Sequence, residues 1–95
     1  MLSRAESKDY NQFMFYFYIL HCKDGALYCG STNNIQNRQN RHNSGKGSVY
    51  VRTHGGGEIV YQETYNTLGD AMRREIQVKK WPRTKKENLI KGLKP

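Results

Sequence analysis

The sequence predicts a small mixed α/β domain, a three-stranded central sheet flanked by helices in the order β-β-α-β-α-α. Three observations lead there. The chain has 95 residues, 36% of them hydrophobic, which is enough for one small core and suits a compact two-layer domain. Two runs of aromatic and branched residues stand on either side of Asp24-Gly25, and a third stretch further along alternates apolar with polar. Helix start and stop signals bracket the segments between and after them.

Residues 1–12 have no periodicity and read as a flexible leader, so the domain is expected over residues 13–95. Phe13 to Cys22 reads as a buried strand, because aromatic and β-branched residues crowd it. Asp24-Gly25 signals a hairpin turn, and Ala26 to Ser31 is the partner strand. Asn33 to Ser44 reads as a helix that Thr32 or Asn33 caps and Gly45 ends. Ile35 is its only large apolar residue, which marks a helix kept for its polar face or lying on the surface. Gly45 to Gly57 reads as a Gly-rich basic loop. Glu58 to Tyr65 alternates as the third strand, with Ile59, Tyr61 and Glu63 expected on one face. Thr67-Leu68-Gly69-Asp70 opens a second helix that runs to about Trp81 and stops at Pro82. Thr84-Lys85-Lys86-Glu87 has the pattern of a capping box for a short last helix bearing Leu89, Ile90 and Leu93.

The charge is lopsided. Sixteen Lys and Arg stand against eight Asp and Glu, for a net charge of +8. A folded domain this basic meets polyanions, and nucleic acid is the commonest of them. An acidic membrane surface is the competing partner, but the later helices lack a long apolar face for it. The longest apolar run, Phe13 to Leu20, is far short of the ~20 residues that span a bilayer, and the first dozen residues have no signal-peptide pattern. The expected compartment is therefore the cytoplasm, with Cys22 and Cys29 as reduced thiols.

Several residues can carry chemistry. Tyr18 and Tyr28 flank the turn. A two-residue loop would point them to opposite faces of the hairpin. A three-residue loop, Lys23-Asp24-Gly25, would put them on one face, and Gly25 suits its left-handed last position. Arg38 and His42 are four apart on the first helix and share a face, either as a phosphate site or as a solvated surface. Glu75 is expected on the stripe of the second helix with Leu68, Ala71, Met72, Val78 and Lys79. A carboxylate there needs either an ion pair, with Lys79 or Arg74, or a metal ion. Few other acids are free to join it, so the inventory permits one carboxylate and one hard metal ion with waters completing its shell. His21, Cys22, Cys29, His42 and His54 lack the spacing of a structural zinc site.

These residues together resemble the GIY-YIG nuclease superfamily, most closely its small stand-alone bacterial members. The resemblance spans about Phe15 to Leu93. Tyr16-Phe17-Tyr18 and Tyr28-Cys29-Gly30 correspond to the two name motifs, with Gly30 as a structural glycine. Arg38, His42 and Glu75 fall where that superfamily has its helix arginine, a histidine of the stand-alone members and its metal-binding glutamate. Two departures stand out. Tyr16 replaces the usual Gly, and Lys79, Lys80 and Trp81 occupy the neighbourhood where many members carry an Asn.

The resemblance implies a divalent-metal-dependent endonuclease acting on DNA, in repair or recombination. Tyr18 or Tyr28 would take the proton from an attacking water while the other orients it. Arg38 would neutralise charge on the scissile phosphate, and His42 would orient or transfer a proton. Glu75 would hold one Mg²⁺ or Mn²⁺. A tyrosine with an ordinary pKa near 10 is a poor base at neutral pH, so this mechanism demands that Arg38 or the metal depress it. Lys46, Tyr50, Arg52, Arg74, Lys79 and Lys80 are expected to bind the nucleic acid. The basic residues would hold backbone phosphate, and Tyr50 would stack on an unpaired base of single-stranded or branched DNA, unless it merely packs in its loop. A protein partner would supply target choice. The alternative is a nucleic-acid-binding module of the same fold with little or no cleavage.

Overall fold

The computed structural model describes residues 14–95, so the leader expected over residues 1–12 lies outside the described residues. Strand β1 is Phe15–Cys22 and β2 is Leu27–Thr32, followed by helices α1, Ile35–Asn43, and α2, Val49–Thr53. Strand β3 is Gly57–Tyr65, and helices α3, Leu68–Lys79, and α4, Arg83–Ile90, complete the chain. The sheet is antiparallel with order β2-β1-β3, so β1 is central and β2 is an edge.

The hairpin turn is the three-residue one. Tyr18 pairs with Gly30 and Leu20 with Tyr28. Gly25 has φ 97°, a left-handed value that a side chain resists, and its N–H donates to the carbonyl of Cys22. Asp24 closes the turn by accepting from the Ala26 N–H. Tyr18 and Tyr28 therefore share a face with Leu20 and Gly30.

Helices cover both faces, which makes three layers where two were expected. Phe17, Ile19 and Cys29 pack against Val78 of α3 and Leu89 of α4. On the other face Tyr18, Leu20 and Cys22 pack against Val51 of α2, with Ile35 of α1 alongside. Helix α2 is the reason for the difference. Its segment was expected to be loop, but Ser48 caps it by accepting from the Tyr50 and Val51 N–H groups, and Val51 is fully buried.

Other caps and faces differ from expectation. Asn34, not Thr32 or Asn33, caps α1, its side chain accepting from the Asn37 N–H, while the Thr32 hydroxyl accepts from the Asn34 N–H. Pro82 is the cap residue of α4, which has no side-chain cap bond. Thr84 lies inside the first turn, so the expected capping box does not form. In β3 a bulge intervenes, since Ile19 pairs with Tyr61 but Leu20 pairs with Ile59. Ile59 is thereby moved to the Tyr18 face, while Tyr61 and Glu63 stay on the Phe17 face. Gln39 of α1 satisfies the backbone beside the bulge. Its amide donates to the Gly57 carbonyl at 2.8 Å and accepts from the Ile59 N–H at 2.6 Å, which ties α1 to β3.

Candidate active site at the edge strand

The site starts from Tyr18, which is fully buried under α1. Its ring lies against Gly30, where an added Cβ would fall 2.4 Å from the Tyr18 hydroxyl. Only glycine leaves that space. The Tyr18 hydroxyl and His42 Nε2 are hydrogen-bonded at 3.0 Å. His42 is the one buried residue of α1, and Gly47 makes room for it: a Cβ there would lie 2.5 Å from Nδ1. Among the described residues Nδ1 has no hydrogen-bond partner. Tyr28, partly exposed, sets its ring edge-on to His42 with centroids 5.6 Å apart.

Burial pushes the Tyr18 hydroxyl up to about 12, although the nearby Arg38 guanidinium opposes the rise. The depressed tyrosine that the sequence argument demands is thus not supplied by Arg38 at Tyr18. Burial lowers the pKa of His42, and Arg38 and Arg41 lower it further, so its imidazole is neutral at neutral pH. Tyr18 and His42 form a neutral, hydrogen-bonded pair.

Around the mouth the charge is positive. Tyr28, Asn37, Arg38, Arg41, His42 and Lys46 line one cleft. Asn37 and Arg41 were not singled out in the sequence, although Arg41 is one turn from Arg38 and could have been found by that spacing. Arg41 is held in place by donating to the Lys46 carbonyl at 3.1 Å. Tyr50, exposed on α2, stacks on Tyr28 with centroids 5.7 Å apart and lies 4.3 Å from His54, so three aromatic rings run outward from the cleft. Arg52 is exposed nearby and reaches the Gly45 carbonyl.

Glu75 approaches from the opposite layer, on α3, around the β2 edge. Its Oε1 accepts from the Ser31 hydroxyl at 2.5 Å and its Oε2 pairs with Lys79 Nζ at 2.8 Å. Lys79 Nζ lies 5.9 Å from the centre of the Tyr28 ring, and so joins the carboxylate to the tyrosine face. The ion pair with Lys79 that the sequence allowed is therefore formed. Ser31 carried no sequence signal, because only the β2 register aims it at α3. No group of three or more His, Cys, Asp or Glu clusters among the described residues, so Glu75 is a lone carboxylate. One carboxylate is a donor set that fits a hard divalent cation whose remaining ligands are waters and substrate oxygens.

Arg74 is not in this cleft. It forms a two-pronged pair with Glu63 of β3 at 2.9 and 3.1 Å, and its guanidinium lies 5.2 Å from the Trp81 ring. The hydroxyls of Tyr61 and Tyr65 donate to the same carboxylate. Burial alone would raise the Glu63 pKa, but these partners outweigh it and hold it below the usual carboxylate range. Lys80 is exposed just past α3. No helix among the described residues is long and apolar enough to cross a membrane.

The comparisons with known proteins agree with this architecture. A family model described as the GIY-YIG catalytic domain matches residues 14–88. A UPF0213 protein of Bacillus pumilus is 44% identical over 79 residues, covering 83% of this chain and 81% of the relative. A UPF0213 protein of Staphylococcus saprophyticus is 41% identical over 75 residues, covering 79% of this chain and 92% of the relative. Among solved structures, the solution NMR structure of a UPF0213 protein from Bacillus halodurans matches with a TM-score of 0.52 at 41% identity, covering 82% of this chain and 83% of that one.

Proposed function

The chain belongs to the GIY-YIG family, and from that membership we propose that it is a divalent-metal-dependent endonuclease domain hydrolysing phosphodiester bonds in DNA. The observation that carries this reading is the meeting of Tyr18, Tyr28, Arg38, His42 and Glu75 at one sheet edge, from four elements and both layers. Of the two tyrosines only Tyr28 meets solvent. Tyr28 therefore takes the proton from the attacking water, and the buried Tyr18–His42 pair holds the wall behind it. Arg38 neutralises charge on the phosphate, with Arg41 and Lys46 holding the backbone on either side. Glu75 would hold the divalent metal, which would supply positive charge to the phosphate and the departing oxygen. The row Tyr28, Tyr50, His54 suits stacking on unpaired bases, so single-stranded or branched DNA, met in repair or recombination, is the favoured substrate.

A second reading, a nucleic-acid-binding module without cleavage, draws support from the engagement of both Glu75 oxygens by Ser31 and Lys79. Cleavage of supercoiled plasmid and of single-stranded and branched oligonucleotides separates the two. The nuclease reading expects strand breaks with Mg²⁺ or Mn²⁺, none with EDTA, and a loss of at least about a hundredfold in Arg38→Ala and Glu75→Ala. Binding with no cleavage under any metal condition favours the module. Cleavage that survives both substitutions removes the site assignment.

A further inference from the structure

We propose that Lys79 is a tethered counter-ion of Glu75 that a divalent cation must displace before it can bind. This rests on the preceding reading for the place of the metal, but it concerns how the metal gains access and not what is cleaved.

Glu75 and Lys79 are four residues apart on α3, one turn of helix, so the ammonium is never far from the carboxylate. Their atoms are 2.8 Å apart, and the second carboxylate oxygen is taken by the Ser31 hydroxyl. Both oxygens of the candidate metal ligand are thus already satisfied. The two partners differ in freedom. The Glu75 side chain is 19% exposed and that of Lys79 is 50% exposed. Glu75 is held in place, whereas Lys79 has solvent to swing into. A divalent cation and an ammonium on one carboxylate repel each other, so metal entry requires Lys79 to leave. While paired with Glu75, the ammonium lies 5.9 Å from the centre of the Tyr28 ring, which lines the cleft. Lys79 stands in the neighbourhood where the sequence departs from the GIY-YIG pattern. The departure therefore has a physical consequence: metal binding by the free domain is weakened by an internal competitor.

The test reads metal binding, so it does not depend on cleavage. Mn²⁺ is titrated into the full chain without nucleic acid, and free Mn²⁺ is followed by electron paramagnetic resonance. Lys79→Gln is expected to bind Mn²⁺ about tenfold more tightly than the wild type, since a unit positive charge beside the ion is removed. Lys79→Arg keeps the charge and is expected to stay within about twofold of the wild type. Glu75→Gln is expected to lose the site. Affinity in Lys79→Gln equal to or weaker than that of the wild type would overturn the proposal, and so would the absence of Mn²⁺ binding in every variant. As a check on the wild type itself, the Lys79 side-chain resonances should shift during a Mg²⁺ titration with the same midpoint as those of Glu75, and Lys79 signals that stay still while Glu75 titrates would also overturn it. Failure of the nuclease reading would show instead as tightened Mn²⁺ binding in Lys79→Gln with no strand breaks from any variant.

Discussion

At the scale of single residues the site depends on absences as much as on side chains. Gly30 leaves room for the Tyr18 hydroxyl, and Gly47 leaves room for His42. Gly30→Ala would force the Tyr18 ring away from a Cβ placed 2.4 Å from its hydroxyl, breaking the bond to His42. It is expected to destabilise the fold by about 2–3 kcal/mol, read as a lower midpoint of urea unfolding. His42 makes a second prediction. Its folded pKa lies below its unfolded value near 6.5, so between the two the unfolded chain binds more protons. Stability is then complete above about pH 6.5 and falls as pH drops through that window, by at most about 1.4 kcal/mol per pH unit for this group. Unfolding midpoints at several pH values should show a fall in the wild type that is shallower in His42→Gln. Much of this was legible beforehand: the order and spacing of Tyr18, Tyr28, Arg38, His42 and Glu75 picked out the candidates. The protonation of Tyr18 was not legible, because burial that raises its pKa against the pull of Arg38 exists only once α1 covers the strand.

At the scale of elements, the pieces that carry the site are tied down by groups outside it. Gln39 pins α1 to the bulged part of β3, and Glu63 pins α3 to β3 through Arg74. Arg74 was expected to bind nucleic acid, but its guanidinium is engaged by Glu63 and by the Trp81 ring. Its removal would leave a mostly buried carboxylate with only tyrosine donors. Arg74→Ala is expected to lower stability by about 1–2 kcal/mol, discounted for partial exposure, while changing DNA affinity less than Arg38→Ala does. Thermal melts and oligonucleotide binding on the same variant check both halves. The strands and the capped α3 were readable from local chemistry, since alternation and Thr67 state them directly. Helix α2 was not, because Val49, Tyr50 and Val51 are poor helix formers set between glycines. The Ser48 cap and the burial of Val51 against β1 outweigh their propensity. The bulge was hidden for a related reason. Strict alternation in β3 predicted one face, and only the pairing with β1 splits Ile59 from Tyr61.

At the scale of the whole molecule, a chain with net charge +8 folds so that two layers meet around the free edge of β2. One layer brings Arg38, Arg41 and His42, and the other brings Glu75 and Lys79. A cationic face and the proposed metal ligand are thereby set on opposite sides of one thin strand. The proposed role of this edge is to perform chemistry and not only to bind. The most direct measurement follows binding and cleavage of one labelled single-stranded oligonucleotide, in Mn²⁺, by wild type and Glu75→Ala. Glu75→Ala is expected to bind within a few fold of the wild type but to lose cleavage. A wild type that binds as tightly as its variant and never cuts would contradict it.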